Sequence, residues 1–506
     1  MTGSLDVVVR GGRVIDGSGA PAARADIGIR GGAIVHVGEL DGARAEQTID
    51  AAGLAVAPGF VDAHVHSDAK IEDETVQLAS LAQGVTTHVV GQDGFGFAPT
   101  SGESFAFMSL YTSGINGSTP PFGPMSTAEL LAWFDGRSPL NVATLVPNGC
   151  LRFEADDLGA MRALCERCAE QGAVGLSSGL DYVPSCEATT EELTALARAA
   201  GLYVTHVRYE LGLGAALAEA FEIGRAGGVP VHVSHLRPDR AFELTAAEIL
   251  ALVDAGGDVT YDLYPYTYGA TFLSYLLPHR VFDGGWDEIA DTLRRADTRE
   301  EIRRSKAASR WSWNDAIVSG APSPPYAELV GLGLEDAAAT VGAEAVDFVC
   351  DFLLAQRLEC LIVWRDRETE DDRRELGAML AHPRAMIGSD AIYSGGRDHP
   401  RGYGAFARFL GEFVRDVGVL SLEEAIRRIT SLPADRFGLR GRGRLAVGFA
   451  ADLVIFDPKA IEPPDGDGFA RGVRDVLVNG TRVFHDGVLT GARPGRGLRR
   501  AAPKGV

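Results

Sequence analysis

The sequence predicts an α/β protein: a closed (β/α)8 TIM barrel with a small β-sandwich domain formed by both termini. Short apolar strands alternate with helical stretches through the middle of the chain, which indicates a parallel sheet covered by helices. Both ends instead carry short β segments separated by Gly-rich turns. The 506 residues also exceed the ~250–300 that one core normally serves, so we expect more than one folding unit.

The small domain is predicted from the two ends of the chain. Residues 6–38 contain alternating or β-branched strands separated by Gly-Gly and Gly-Ser turns, which is typical of an antiparallel sheet. A similar pattern returns in "GRGRLAVGFAADLVIFDP". We therefore assign residues 1–57 and 440–506 to one small β-sandwich domain.

Residues 58–439 are assigned to the barrel. Their candidate strands are "GFVDAHVH", "VTTHVVG", "NVATLV", "AVGLSS", "LYVTHV", "VPVHVSHL", "DVTYDLYPY", "ECLIVW" and "AMIGSD". This many repeats fit a closed barrel with insertions better than an open sheet, and the chemistry of such a barrel lies where its strands end. Residues 295–345 lack a clear strand and are rich in charge, so we interpret them as an insertion over the barrel mouth.

The charge balance restricts the partners. There are 48 basic and 69 acidic residues, giving a net charge of -21, and such a surface repels nucleic acids and anionic membranes. The sequence has no pattern typical of a signal peptide and no window of ~20 apolar residues. We expect a cytoplasmic protein that binds neither nucleic acid nor membrane, and homo-oligomerisation stays open.

Two histidines stand at the end of the first barrel strand, in "APGFVDAHVHSDAK". Because side chains alternate along a strand, His64 and His66 point the same way and can hold one ion between them. An H-x-H pair alone is weak evidence, since a surface strand carries one often by chance. The apolar residues before the pair and its place at the strand end favour a functional role.

The same arrangement recurs at other strand ends. "LYVTH" ends on His206, "VPVHVSH" ends on His235, and "AMIGSD" ends on Asp390. Imidazole nitrogen and carboxylate oxygen are the donors that Zn²⁺ and similar ions select, so the sequence predicts a divalent metal site. His232 has the opposite parity to His235, which favours a packing or supporting role. His88 is ambiguous.

Longer motifs carry a resemblance to a known family. They include "PGFVDAHVHSD", "GAVGLSSGLDYVPSCEATTEEL", "DLYPYT", "DHPRGYG", "LSLEEAIRRITSLPADRFGLRGRGRL" and "VLVNGTRVFHDGVLTGARPGRGLR". Through these, nearly the whole chain resembles the metal-dependent amidohydrolase superfamily, and within it the D-aminoacylase (N-acyl-D-amino-acid deacylase) family. The resemblance implies a barrel with a small β-sandwich, and a hydrolase acting on carbon–nitrogen bonds other than peptide bonds.

The resemblance also implies a ligand set. His64, His66 and Asp390 are expected at one metal site, and His206 and His235 at the other. The family adds a cysteine from a "G-N-C-G" turn after the second strand, where this chain reads "GQDG".

Asp93 occupies the position of that cysteine. The aspartate side chain reaches about as far as a cysteine side chain, and its carboxylate can bridge two divalent ions. We therefore expect one or two bound ions, with zinc as the preferred metal. The carboxylate oxygen is a harder donor, which should admit Mn²⁺, Co²⁺ or Fe²⁺ more readily. The alternative is that Asp93 only stabilises a tight Gly-rich turn.

Other departures from the family concern the substrate. A serine that often helps to hold the substrate carboxylate is replaced by Ala270, and the usual lysine appears as Arg237. The family motif "GHGTLR" reads "PNGCLR" here and loses a histidine. Arginine grips a carboxylate with two hydrogen bonds, so we expect a small anionic amide substrate whose identity stays open.

A hydrolytic mechanism follows from the resemblance. A divalent ion lowers the pKa of water to about 7, Asp390 is expected to carry the proton, and Tyr264 to donate a hydrogen bond to the oxyanion. Tyr266 and Tyr268 are competing substrate-binding candidates, because alternation would put all three tyrosines on one face. Tyr264 could equally be a core aromatic.

Three alternatives remain open. A cyclic amide or imide hydrolase related to dihydropyrimidinase would bridge its metals with a carboxylated lysine. Of the four lysines Lys70, Lys306, Lys459 and Lys504, none ends a middle barrel strand, which disfavours that alternative. A one-metal deaminase would release ammonia. A non-catalytic metal-binding homologue is disfavoured because the expected ligands are present.

Overall fold

The computed structural model describes residues 4–238, 244–307, 311–393, 396–466 and 468–500. Within these ranges the strands are β1 (Leu5–Val14), β2 (Ala23–Arg30), β3 (Ala33–Gly38), β4 (Ala45–Asp50), β5 (Ala55–Pro58), β6 (Phe60–Asp62), β7 (Val85–Val90), β8 (Asn141–Thr144), β9 (Val146–Pro147), β10 (Leu176–Gly179), β11 (Tyr203–His206), β12 (Val231–Val233), β13 (Val259–Leu263), β14 (Ala270–Phe272), β15 (Ala316–Gly320), β16 (Leu361–Trp364), β17 (Ala385–Ile387), β18 (Leu453–Phe456), β19 (Val473–Val478), β20 (Thr481–His485) and β21 (Val488–Leu489).

The α-helices of the described ranges are α1 (Glu74–Ala82), α2 (Gly102–Tyr111), α3 (Ser113–Asn116), α4 (Thr127–Phe134), α5 (Asn148–Glu154), α6 (Leu158–Glu170), α7 (Thr190–Ala200), α8 (Leu213–Gly227), α9 (Ala246–Ala255), α10 (Trp286–Arg294), α11 (Ala296–Ala307), α12 (Leu334–Thr340), α13 (Ala345–Ala355), α14 (Glu370–Ala381), α15 (Arg401–Arg408), α16 (Leu422–Ile429) and α17 (Ser431–Arg436). Phe409–Val417 continues α15 as a π-helix. None of the described helices combines the length and the apolar composition needed to cross a lipid bilayer.

The barrel is a ring of parallel strands. β6, β7 and β8 are neighbours in one sheet, and β9 to β13 and then β17 follow in another, with β9 directly continuing β8 along the chain. The ring closes between β17 and β6, where Val65 pairs with Ala391 in parallel and the Ala63 amide donates to the Ile387 carbonyl. The predicted (β/α)8 barrel is therefore confirmed.

Apolar side chains of several barrel strands form one buried cluster. Five strands contribute one residue each to this cluster: Val61, Val89, Ala143, Val204 and Met386. These residues lie in the strands themselves, whereas the polar residues of interest follow the strand ends. The packed core thus supports a polar layer at the carboxyl ends, as is usual for this fold.

Both ends of the chain contribute to a single nine-stranded sheet. Its order is β21-β20-β19-β18-β5-β1-β2-β3, with β4 beside β1. The junction is the antiparallel pair of β18 and β5, in which Val454 lies opposite Ala57. A small β domain built from both termini is therefore present, while the exact domain boundaries stay a prediction.

The insertion differs from its prediction in two ways. "ECLIVW" forms β16, which pairs antiparallel with β14 and β15 outside the barrel. The segment 295–345, of which residues 308–310 lie outside the described ranges, contains the strand β15. These two expectations were wrong because a short apolar run has the same pattern in a barrel strand and in a strand outside the barrel. Only the strand with which it pairs shows to which sheet it belongs. The insertion packs with neighbouring segments around a separate apolar core that includes Phe272, Val318 and Phe352.

The C-terminal segment packs closely on the barrel. The Leu498 amide donates to the Val142 carbonyl over 2.7 Å. A Cβ atom on Gly497 would stand 1.9 Å from the Leu131 carbonyl oxygen, so only glycine permits this approach. The segment therefore fixes the outer side of the barrel near α4 and β8.

We expect Gly497→Ala to destabilise the fold by about 1–3 kcal/mol, because the added methyl group has no space against the Leu131 backbone. The midpoint of thermal unfolding measures this. Gly214→Ala is the matched control: it lies in α8 with no atom within 4 Å of its new Cβ. That helical substitution should stabilise by up to ~1 kcal/mol. Equal midpoints for the two variants would contradict the proposed packing.

Candidate metal centre

The two histidines of the first barrel strand lie side by side just beyond β6. Their Nε2 atoms are 3.4 Å apart, and both side chains are buried. The neighbouring strand end fixes their backbone: the Asp390 amide donates to the His64 carbonyl over 2.7 Å, and the His66 amide donates to the Ala391 carbonyl over 3.0 Å. Barrel closure thus sets the position of both imidazoles.

Asp93 lies between the two groups of histidines. One carboxylate oxygen, Oδ2, is 3.4 Å from the Nε2 atoms of both His64 and His66. The same oxygen is 3.7 Å from Nε2 of His235. The other oxygen, Oδ1, is buried and has no hydrogen-bond partner among the described residues. The turn after β7 therefore brings a carboxylate into the middle of the cluster.

Asp390 faces the cluster with one oxygen only. Its Oδ1 lies 3.4 Å from Nε2 of His66 and 3.8 Å from Nε2 of His64. Its Oδ2 forms a 2.7 Å ion pair with Nη1 of Arg401, a side chain that is 1% exposed. Arg401 is a site residue that the sequence analysis did not identify, although it stands in the motif "DHPRGYG".

His206 and His235 form the second group. Nδ1 of His206 is 3.1 Å from Nε2 of His235, and Nε2 of His206 is 3.1 Å from Oδ2 of Asp181. The Nδ1 atom of His206 is therefore the one that faces the centre. Asp181, two residues beyond β10, was not predicted, and its remaining oxygen has no partner in the described structure.

Three of the clustered residues have left-handed backbone. The φ angles of Asp93, His235 and Asp390 are 55°, 38° and 48°. Residues other than glycine adopt such angles rarely and at a cost, and they concentrate at functional sites where the surroundings enforce them. Each of the three lies two or three residues beyond the end of a barrel strand, so the sharp turn there directs its side chain toward the cluster.

The electrostatics of the cluster favour a positive charge at its centre. Burial alone would lower the pKa of His64, but the charges of Asp93 and Asp262 outweigh burial and raise that pKa well above its usual value. Burial likewise would raise the pKa of Asp93, yet the charge of His64 and the hydrogen bonds of the neighbouring histidines keep that pKa well below its usual range. Clustered buried donors of this kind are stable only with a compensating cation or protons.

The donor set fits a divalent metal ion. His64, Asp93 and His235 place one ligand atom each within 4.8 Å of the others, and so do His64, His66 and Asp390. All are imidazole nitrogens or carboxylate oxygens, the donors that zinc and its neighbours accept. The buried Oδ1 of Asp93, which has no protein partner in the described structure, gives a second oxygen for a cation.

Asp262, in strand β13, contacts the histidines of the cluster. Its Oδ2 is 2.9 Å from Nε2 of His232 and 3.5 Å from Nδ1 of His64, and its Oδ1 accepts the His235 amide over 3.0 Å. The side chain is completely buried. His232 thus contacts the buried carboxylate, in agreement with the supporting role that its parity predicts. The sequence analysis missed Asp262, although a carboxylate on the apolar strand β13 is a signal that could have found it.

Two guanidinium groups and a phenol converge beside the cluster. The Tyr264 ring has Cζ of Arg401 at 4.6 Å and Cζ of Arg237 at 5.4 Å from its centroid. A Cβ atom on Gly269 would lie 2.9 Å from the Tyr264 hydroxyl, 3.5 Å from Nη2 of Arg237 and 3.5 Å from Nη1 of Arg401. Three donor groups of the kind that bind carboxylates therefore lie close together beside Gly269.

The three candidate tyrosines lie around one histidine beyond the end of β13. The ring centroids of Tyr264, Tyr266 and Tyr268 are 6.0, 5.3 and 4.2 Å from that of His399. β13 ends at Leu263 and the Tyr266 amide donates to the Tyr264 carbonyl, so strand alternation is not what brings the rings together. The Tyr266 ring also lies under Cζ of Arg408 at 4.5 Å. Which of the three tyrosines binds the substrate stays a prediction.

Comparisons with known proteins agree with this geometry. The amidohydrolase family profile matches residues 47–484. The chain is 35% identical to an N-acyl-D-glutamate deacylase and 33% identical to a D-aminoacylase, both from Alcaligenes xylosoxydans xylosoxydans, covering 99% and 98% of this chain and 98% of each relative. A solved N-acyl-D-glutamate deacylase from Bordetella bronchiseptica, complexed with zinc and a phosphonate inhibitor, is 32% identical with a TM-score of 0.79; the alignment covers 99% of this chain and all of that one.

The fold and the site define a barrel hydrolase with a polar centre at its strand ends. The chain belongs to the amidohydrolase family, and its resemblance to the D-aminoacylases is confirmed over its whole length. It is a hydrolase acting on carbon–nitrogen bonds other than peptide bonds. The roles of the individual site residues stay predictions.

We expect Asp262→Asn to weaken metal binding about 10–100-fold, because a neutral amide no longer orients the imidazole of His64 as a carboxylate does. Competition with a chromogenic chelator measures the dissociation constant. Asp258→Asn, at an exposed ion pair with Arg436 just before the same strand, is the matched control and should leave metal affinity unchanged. Wild-type affinity in Asp262→Asn would refute the supporting role.

Proposed function

We propose that this enzyme hydrolyses N-acyl-D-amino acids to a carboxylic acid and a free amino acid. The observation that carries the proposal is the convergence of the Asp93 carboxylate with the imidazoles of His64, His66 and His235. Both curated relatives described above are deacylases of acylated D-amino acids by name, which supports this substrate class and its handedness.

The proposed ligands form two groups. His64, His66 and Asp390 would hold one divalent ion, His206 and His235 would hold another, and Asp93 lies between the two groups. We take zinc as the preferred ion, since the related deacylase was solved with zinc, and either one or two ions fit the donors. When bound, such an ion polarises a carbonyl oxygen and lowers the pKa of water to about 7.

Asp390 is proposed to move the proton. Arg401 anchors its Oδ2, so Oδ1 stays directed at the cluster, where it accepts the proton of the attacking water and delivers it to the leaving amide nitrogen. Burial alone would raise the pKa of Asp390, but the Arg401 guanidinium and then the hydrogen bond with His66 lower it below its usual range. The carboxylate is therefore ionised at neutral pH, which is the form that can accept a proton.

The substrate carboxylate is proposed to bind between Arg237 and Arg401. Both guanidinium groups and the Tyr264 hydroxyl lie close together beside Gly269, and an arginine can bind a carboxylate with two parallel hydrogen bonds. Tyr264 would then donate its hydrogen bond to the carbonyl oxygen as negative charge develops there. Tyr266 and Tyr268 keep only an indirect role, through the packing around His399.

We expect the enzyme loaded with Zn²⁺, Mn²⁺ or Co²⁺ to turn over at least one acyclic N-acetyl, N-succinyl or N-formyl amino acid. Asp390→Ala should lower kcat about 100-fold or more, since the proton carrier is lost, and His235→Ala should abolish turnover by removing a ligand. Release of the free amine, followed by chromatography, measures both. His36→Ala and Asp258→Ala, far from the barrel mouth, are matched controls expected to keep full activity.

Two outcomes would contradict the proposal. Hydrolysis of lactams or cyclic imides, with no activity on any acyclic N-acyl amino acid, would indicate a cyclic amide hydrolase. Release of ammonia in place of an amino acid would indicate a deaminase. Activity on L-substrates alone would correct the handedness and leave the reaction class intact.

We expect Asp93→Cys to increase the preference of the enzyme for Zn²⁺ over Mn²⁺, because a thiolate is a softer donor than a carboxylate. The measurement is the ratio of the two dissociation constants in wild type and variant. Asp41→Cys, on an exposed loop, is the control for an added thiol. An unchanged ratio would show that Asp93 stabilises its turn without binding metal.

A further inference from the structure

A cavity lies between the loops of the barrel and the insertion. Its volume is 420 Å³, and its lining includes Lys70, Ser113, Glu359 and Tyr393 but none of the clustered histidines or aspartates. Lys70 follows the histidine pair by four residues, Tyr393 follows Asp390 by three, and Glu359 comes from the insertion just before β16. The cavity thus touches two of the loops that carry the metal centre.

Two opposite charges share one corner of this cavity. A Cβ atom on Gly117 would lie 3.4 Å from Nζ of Lys70 and 3.9 Å from Oε1 of Glu359. Yet the two head groups do not form an ion pair, and within the described part of the chain neither has a hydrogen-bonding or charged partner for its side chain. Both side chains are half-buried. Each charge is therefore only partly hydrated, and no protein group of the described structure compensates for the lost water.

The rest of the lining is small or apolar. Gly117 leaves room beside the charges, while Ile115, Val330 and Leu361 supply apolar lining. A ligand that fits carries a carboxylate for Lys70, an ammonium group close to it for Glu359, and a side chain of moderate size for the apolar lining. An α-amino acid in its zwitterionic form has these features.

We propose that this cavity binds the free amino acid that the enzyme releases. The inference rests on the proposed function for the identity of the product. Acylation removes the positive charge of the amino group, so the N-acyl substrate lacks the group that Glu359 would bind. The cavity therefore selects product over substrate, and an occupied cavity contacts the loops that lead from His66 and from Asp390, giving the product a route to influence the metal centre.

Isothermal titration of the metal-loaded enzyme with free D-leucine, D-methionine and D-glutamate tests the proposal. We expect at least one free amino acid to bind, and Lys70→Met and Glu359→Gln each to weaken that binding at least tenfold. The N-acetyl forms are substrates of the proposed reaction, so KM from initial rates is compared for them, and it should be equal in wild type and Glu359→Gln. Lys459→Met, which removes an exposed lysine of the small domain, is the matched control and should bind as wild type does.

Initial-rate kinetics on the same preparations separate this inference from the proposed function. Lys70→Met should keep kcat/KM for the N-acyl substrate while losing inhibition by added free amino acid. Turnover of N-acyl amino acids combined with wild-type product binding in both variants, or with no binding in wild type, would overturn the cavity proposal alone. Absence of turnover would overturn the proposed function, and the titration would still decide whether the cavity binds amino acids.

Discussion

The hydrogen bond from the Asp390 amide to the His64 carbonyl, 2.7 Å long, joins the last barrel strand to the first, and the polar centre depends on it. Without this closure, His64 and Asp390 would be separated by more than three hundred residues of chain. Asp62 reinforces the same seam: its Oδ1 accepts the Ser389 amide over 2.8 Å. Burial raises the pKa of that carboxyl to about 7, which reflects how completely the seam excludes water.

Closure of the barrel brings together ionisable groups that lose their hydration and can repel one another when they are buried side by side. Clustered imidazoles and two carboxylates are buried at the barrel mouth, and three residues there hold left-handed backbone. Such an arrangement is unfavourable in isolation. The packed apolar cluster of the strands and the neighbouring hydrogen bonds stabilise it, so the stability of the barrel as a whole maintains the geometry of the centre.

The supporting charges determine which atoms face inward. Asp181 holds Nε2 of His206 and leaves Nδ1 toward His235. Asp262 faces Nδ1 of His64 and leaves Nε2 toward Asp93. Arg401 holds one oxygen of Asp390 and leaves the other directed at His66. In each case a buried partner holds one of the two possible donor atoms of a side chain and leaves the other toward the cluster. Residues that contact metal ligands commonly orient them in this way.

The sequence by itself indicated the barrel and its central donors, because each donor lies at the end of an apolar strand or a few residues beyond it and the donor types are chemically distinctive. It could not identify Asp181, Asp262 or Arg401 as partners, since their roles arise from contacts between segments far apart in the chain. It also misplaced "ECLIVW" in the barrel and extended β13 through the three tyrosines, which follow its end. Only the tertiary structure decided these points, because a local pattern shows that a strand is apolar but not which strand it pairs with or where it ends.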